Sequence, residues 1–271
     1  MLRRRRRSTR GPKPSAAPLS HKSRSPATPE PSAPGTRRRA RPDAPVPVEL
    51  KLSNSRASAV VLVTGFEPFG GEATNPSWDV CTQLPKEIAG MRVERHLVPC
   101  EFRRSIEGVA EAIERLHPML VVSLGQAGGR SRIGIERVAI NVDDARIPDN
   151  AGNQPVDELV AANGPPAYFA SLPVKAMAAA AREAGVPAEV SNTAGTFVCN
   201  HLMYGVLHYL AASGYRTRAG FIHLPYSEAQ AARHRDSPSM AIATMVKGVV
   251  AAIAAAHENK HDIRAPEGAL D

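Results

Sequence analysis

Residues 59–65 read AVVLVTG, and the same shape returns at 119–125 as MLVVSLG and at 220–225 as GFIHLP. Each is a short, continuous run of apolar, largely β-branched residues that stops at a glycine or proline. A strand with one wet face alternates apolar and polar residues. A run without alternation is buried on both faces, as in a sheet covered by helices on each side. Segments with helical spacing lie between these runs. Residues 105–116 place apolar side chains at 106, 109, 110, 113 and 116. Asn75 followed by Pro76 is a helix start, with a side-chain cap and a proline at the first helical position, and predicts a helix through Trp78 and Leu84. Helices are also predicted at 174–183, from 196 or 197 to 210, and at 240–257. Strands are predicted at 93–98 and 187–190, with 133–142 β-like and a loop-rich stretch to Gln154. Strands alternating with helices indicate an α/β layered fold with a mainly parallel sheet. Ligands in such folds sit beyond the carboxyl ends of strands, where Gly65, Gly125 and His223 fall.

Moving outward to the termini, the composition changes sharply. Residues 1–50 hold 13 Lys and Arg against 3 Asp and Glu, with 10 of the 24 prolines and no aromatic residue. Such a segment cannot bury enough apolar surface to offset its ordering entropy. We expect residues 1–55 to be a disordered basic extension, either without a specific role or binding polyanions such as nucleic acid or lipid headgroups non-specifically, with a targeting signal as the third reading. The Arg run is followed by no apolar stretch of the kind a secretory signal needs. The net charge of +8 lies entirely in this segment; the remaining residues carry 21 basic against 23 acidic side chains. A near-neutral body has no overall electrostatic attraction to nucleic acid. Residues 56–260 are expected to form one domain, and 261–271 a flexible C-terminal tail. No apolar run approaches the ~18 residues of a membrane span. Three cysteines exclude a disulfide-stapled scaffold and suit a reducing compartment.

Four constellations carry chemistry. Cys199 stands in NTAGTFVCNHL (192–202), in the first turn of a helix, where free N–H groups and the helix dipole favour a thiolate and an oxyanion. A buried core cysteine is the competing reading, and the residues alone leave both open. His223 ends the strand GFIHLP, where an imidazole can exchange protons near neutral pH; a core histidine is the alternative. His201, two residues from Cys199, faces away from it. The stretch GQAGGR (125–130), with Glu136 in IERVAIN and the loop ARIPDN (145–150), lacks the Lys-Ser/Thr of a phosphate loop and the spacing of a dinucleotide fingerprint. Glu136 is left either to orient an imidazole or to pair with Arg130, Arg132 or Arg137. The loop TGFEPFGG (64–71) carries two aromatics that are costly to expose and suit the wall of an apolar pocket, with loop packing under neighbouring segments as the alternative. No metal-ligand spacing is present, and neither a metal nor a cofactor is expected.

Together, TGFEPFGG with NPSW (75–78), GQAGGR…ERVAIN with ARIPDN, TAGTFVCNHL and FIHLPY (221–226) resemble the pyroglutamyl-peptidase I family, over roughly residues 58–257. The resemblance implies a three-layer α/β/α sandwich with a twisted, mainly parallel but mixed sheet, of phosphorylase/hydrolase-like type. It implies a cytoplasmic cysteine peptidase, usually homotetrameric, that removes N-terminal pyroglutamate from peptides. By the same resemblance the catalytic residues are Glu136, Cys199 and His223. Phe66, Phe69, Ile147, Phe197 and Gln126 would bind the lactam. Arg146 would assist at the oxyanion and Asp149 would support the site. The expected mechanism has a Cys199 thiolate beside a His223 imidazolium. A non-cleaving binder of peptide N-termini, a nucleic-acid-associated protein and a nucleoside-phosphorylase-like enzyme are the competing readings.

Overall fold

The computed structural model describes residues 59–268. The expected basic extension, with its polyanion partnership, therefore lies outside the described residues, as does the last part of the tail.

A seven-stranded sheet forms the centre. It contains β1 (Val60–Phe66), β2 (Glu87–Ile88), β3 (Met91–Val98), β4 (Leu120–Gln126), β5 (Ile133–Glu136), β8 (Ala188–Ser191) and β9 (Arg218–Leu224), in the order β2-β3-β1-β4-β9-β5-β8. A separate two-stranded sheet joins β6 (Val138–Ile140) to β7 (Ala167–Phe169). The helices are α1 (Pro76–Gln83), α2 (Arg104–Leu116), α3 (Val174–Glu183), α4 (Val198–Ser213), the short α5 (Glu228–Ala231) and α6 (Ile242–Glu258).

The unalternated strands are buried on both faces, as their sequence requires. Val61 and Val63 of β1 and Leu120, Val122 and Leu124 of β4 pack with α1, α3 and α6. Leu62 and Phe66, with Val121 of β4 and Phe221 of β9, pack with α2 and α4. Helix, sheet and helix thus make three layers. Each fully buried Leu or Ile side chain in them contributes about 1.5–3 kcal/mol. Asn75 caps α1 as expected: its Oδ1 accepts from the Ser77 amide, and Ser77 Oγ in turn accepts from the Phe66 amide, which ties this helix to the end of β1.

β3, β1, β4 and β9 are parallel neighbours. β5 runs antiparallel to β9, and β8 follows β5, so one flank of the sheet is reversed. Continuous apolar runs report burial but carry no direction, and the reversal leaves no mark in them. The β-like stretch 133–142 is two strands: β5 ends in the main sheet at Glu136, and after Arg137 the chain crosses to pair β6 with β7.

The expected flexible tail has partners over its described part. Asp262 accepts from the Lys175 and Ala176 amides at the start of α3, Lys175 Nζ donates to the Ala265 carbonyl, and Arg182 pairs with Glu267. Among the described residues no helix is long and apolar enough to cross a membrane.

Candidate active site

Gly125 on β4 and His223 on β9 are register partners at the carboxyl ends of adjacent parallel strands. A Cβ built on Gly125 would lie 2.9 Å from Cys199 Sγ and 2.6 Å from the Phe221 ring. Only glycine leaves room for the sulfur there, so Cys199 sits over the sheet edge on the face that carries His223. Cys199 is the second residue of α4. Phe197 precedes that helix in extended conformation and supplies no side-chain cap. The first N–H groups of α4 are therefore left for a ligand, and they carry the positive end of the helix dipole.

Glu136 ends the reversed strand β5, opposite Phe221 of β9, and so lies deeper in the sheet than His223. It is fully buried, and its Oε1 lies 2.7 Å from His223 Nδ1. Burial pushes the carboxyl up. The hydrogen bond and charge of His223, then Ser191 and Arg130, outweigh that and hold it below the ordinary 4.5. With Glu136 ionised, Nδ1 of His223 is the donor, which leaves Nε2 as the acceptor nitrogen of the neutral ring. No protein hydrogen bond to Nε2 is found among the described residues.

The thiol departs from the expected resting thiolate. Burial pushes Cys199 up to about 12, the Glu136 charge adds to this, and Arg130 opposes it. That direction favours the protonated sulfur over the ion pair, and His223 is the group on that face able to take its proton.

The aromatics of the first loop divide. Phe69 and Phe197 lie with ring centroids 5.9 Å apart, and Phe102 meets Phe197 edge-on at 5.5 Å. Phe69 and Phe197 are partly open. Phe66 is 2% exposed and packs beside Phe221, so it forms floor rather than wall. Ile147 is exposed and neighbours Gly70 at the lip of the same loop. Strand alternation turns Gln126 to the face opposite Gly125, where its Oε1 accepts from Gln230 Nε2 at 2.8 Å. Arg146 is exposed and has no hydrogen bond or ion pair among the described residues. Asp149 is a loop organiser: it accepts from the amides of Phe102, Ala151 and Asn153. Burial pushes its carboxyl up, but bonds from Asn153, Phe102 and Ala151 bring it below its ordinary value.

Three residues with structural tasks at the site escape a reading of motifs. Asn200, next to Cys199, brackets β6 by accepting from the Ile140 amide and donating to the Ile140 and Val142 carbonyls. Thr196 donates to the Asp144 carbonyl and so pins the loop that holds Arg146 and Asp149. Glu67 accepts from Asn150 Nδ2 and the Cys100 amide, which joins the two loops around the aromatics. An amide or hydroxyl beside a nucleophile is the signal in the first two cases. Cys81 and Cys100 are buried thiols pushed upward by burial. Among the described residues no group of three or more His, Cys, Asp or Glu side chains is placed to hold a metal.

Residues 59–259 match the sequence profile of a family described as pyroglutamyl peptidase. The chain is 55% identical over 210 residues to the pyrrolidone-carboxylate peptidase of Escherichia fergusonii, covering 77% of this chain and 98% of that one. It is 54% identical over 213 residues to that of Cupriavidus taiwanensis, covering 78% and 98%. Among solved structures, it resembles pyroglutamyl peptidase I from Bacillus amyloliquefaciens, with a TM-score of 0.74 and 41% identity over 77% of this chain and all of that one. It also resembles the pyrrolidone carboxyl peptidase of Thermococcus litoralis, with a TM-score of 0.72 and 36% identity over 77% and 99%.

Proposed function

The chain belongs to the pyroglutamyl peptidase family, and from that premise we propose that Cys199, His223 and Glu136 carry its chemistry as nucleophile, acid–base and orienting carboxylate. The protein is a cysteine peptidase that removes an N-terminal pyroglutamyl residue from peptides. One observation supports this assignment of roles above the others: the His223–Glu136 contact of 2.7 Å on the sheet face where Gly125 admits the Cys199 sulfur.

With Cys199 pushed toward its protonated form, attack and proton transfer are coupled in this reading. His223 Nε2 takes the Sγ proton as sulfur bonds to the pyroglutamyl carbonyl carbon. The carbonyl becomes an oxyanion, held by the backbone N–H of Cys199 and the open first turn of α4. Arg146 lies in the loop that Thr196 pins beside the start of α4 and would add charge to the oxyanion. Collapse breaks the C–N bond, and the imidazolium returns its proton to the leaving amine. Water then attacks the thioester with His223 as base, releasing pyroglutamate and restoring the thiol. Glu136 keeps the proton of the neutral imidazole on Nδ1, so that Nε2 is always the reacting nitrogen.

Pyroglutamate is an uncharged lactam, so its slot needs apolar walls and few polar groups. Phe69, Phe197 and Ile147 supply walls, with Phe66 beneath. Gln126 faces away from Cys199 and is held by Gln230, so the expected lactam contact passes to backbone groups of the loops, and Asp149 keeps the lip in shape. The partners are peptides blocked by pyroglutamate. A homotetramer and a cytoplasmic location accompany this reading. Val156, Leu159 and Phe169 are exposed apolar residues in and beside the β6–β7 sheet, available for self-association, and three free cysteines suit a reducing compartment.

The test is hydrolysis of a pyroglutamyl amide with a fluorescent leaving group, beside the prolyl and glutamyl amides, with and without iodoacetamide. Selective release abolished by alkylation is expected. Release that survives complete alkylation of Cys199 overturns the nucleophile assignment. Static light scattering reads the assembly, and a monomer at working concentration removes the tetramer.

A further inference from the structure

Arg130 closes the glycine loop that follows β4, and its guanidinium reaches Glu136 and the segment that precedes α4. Nη1 donates to Glu136 Oε1 at 2.7 Å, the same oxygen that takes the proton of His223 Nδ1 at 2.7 Å. Glu136 Oε2 is buried and has no hydrogen-bond partner. Both donors thus compete for one oxygen while its twin goes unused. The other arm of the fork, Nη2, donates at 3.1 Å to the Thr193 carbonyl, in the segment that leads into the helix of Cys199. The route is built into the backbone. A Cβ on Gly134 would lie 2.5 Å from Nη1, so any other residue there would block the guanidinium.

We propose that Arg130 is a positioning residue of this reaction: it fixes which oxygen of Glu136 meets His223, and its charge tempers the hold of that carboxylate on the imidazolium. This rests on the triad reading given above.

A carboxylate with only an imidazole for a partner would face a choice between two oxygens and would grip the imidazolium with its full charge. The proton delivered to the leaving amine comes from that imidazolium, so too firm a grip slows bond cleavage. A guanidinium on the same oxygen removes the choice and shares the charge. It acts on sulfur in the same sense, because Arg130 opposes the upward push on the Cys199 thiol. The charged groups facing this arrangement are Glu136, His223 and Cys199 on the inner side. On the outer side a cavity of about 660 Å³ is lined by Arg130, Arg132, Arg182, Glu189 and Glu267, with Arg182 and Glu267 paired to each other. Arg130 is the member of that outer set that also touches the triad.

The test uses the full chain and the fluorogenic pyroglutamyl amide across pH, with Arg130→Met, Arg130→Lys, Glu136→Gln and the Arg130→Met/Glu136→Gln double variant. Arg130→Met is expected to lower kcat by about 10- to 100-fold, the range of strongly coupled neighbours, with KM changed by less than about twofold. Both limbs of its pH–rate bell are expected to move to higher pH. Arg130→Lys keeps the charge and is expected to leave the bell in place while recovering part of kcat. The double variant should fall no further than Glu136→Gln alone. An unmoved bell in Arg130→Met, or losses that multiply in the double variant, would overturn the proposal. Should circular dichroism show Arg130→Met unfolded, Arg130→Lys decides alone: a displaced bell in it sinks the electrostatic role. Failure of the triad reading is a separate result, seen as Cys199→Ala or Glu136→Gln retaining wild-type turnover.

Discussion

Two buried histidines in this protein hold two buried carboxylates at the same distance. His223 meets Glu136 at 2.7 Å, and His201 meets Asp143 at 2.7 Å. Each ring is almost wholly enclosed. The difference lies at the other nitrogen. His201 Nε2 accepts the Arg103 amide at 2.8 Å, and Phe102 packs edge-on against the ring. Both nitrogens are used, so this imidazole staples α4 to the start of α2 and has no free position for a proton. His223, on the sheet face that also carries Cys199, makes no protein hydrogen bond at Nε2 among the described residues. The lesson is that a His–carboxylate pair is neutral evidence about catalysis. What the second nitrogen meets decides whether the pair does chemistry or holds two segments together.

Exchanging the two histidines for alanine breaks or sharpens that contrast most directly. His223→Ala, like Cys199→Ala, is expected to lower turnover by about 10⁴-fold or more, with a thermal midpoint close to wild type. Near-normal turnover in a clean preparation of either would remove the assignment. Glu136→Gln comes next, at about 10²- to 10⁴-fold, because the amide can still sit against His223 but can present its donor face. If this variant kept full activity at every pH, the orienting role would be wrong. His201→Ala should show the reverse pattern. It strands Asp143 and the Arg103 amide, and costs about 3 kcal/mol of stability, measured by urea unfolding, while the folded fraction keeps kcat within about threefold. A catalytic loss in His201→Ala without a stability loss would erase the distinction.

The smallest effects are electrostatic. Glu136 is held below its ordinary 4.5 in the folded state. A depressed carboxyl contributes stability that is present above its unfolded value and is lost as pH falls through the folded one. Wild type should therefore lose stability below about pH 4.5 more steeply than Glu136→Gln, with Asp149 contributing to the common slope in both. The thiol shifts the other way. Thiolate absorbance near 240 nm, taken as wild type minus Cys199→Ser, should be missing at pH 7. A step below pH 8 would restore the resting ion pair that the helix N-terminus alone suggests.

Much of this was legible in the residues, for identifiable reasons. Val60–Val63 and Leu120–Leu124 must be covered on both faces because they do not alternate, and that forces three layers. Asn75-Pro76 announces its helix through a cap and a missing N–H. Gly65, Gly125 and His223 fall together because strand ends converge at one edge of an α/β sheet, whereas Cys199 joins them in the sequence only through the family resemblance. The direction of β5 and β8 was not legible, since the pattern of IGIE is the same read either way. The split at Arg137 depends on β7, three residues far along the chain. Arg130 could be named as a partner of Glu136, but that it shares an oxygen with His223 depends on Gly134 and on the register of β5 with β9. The upward push on the Cys199 thiol follows from desolvation, which is a property of the packed site and not of the helix that carries it.

The reversed flank of the sheet has a consequence for how the protein is made. Glu136 reaches His223 only once β5 has docked against β9, and β9 is drawn from a part of the chain more than eighty residues later. Contacts of that separation form slowly, because loop-closure entropy opposes them until the rest of the sheet is in place. On the triad reading, a chain emerging from the ribosome therefore carries Cys199 without its base until β9 has joined the sheet. Activity is a late property of refolding: its recovery should lag the return of helical circular dichroism. The half-built molecule has no assembled acid–base partner with which to act on its neighbours.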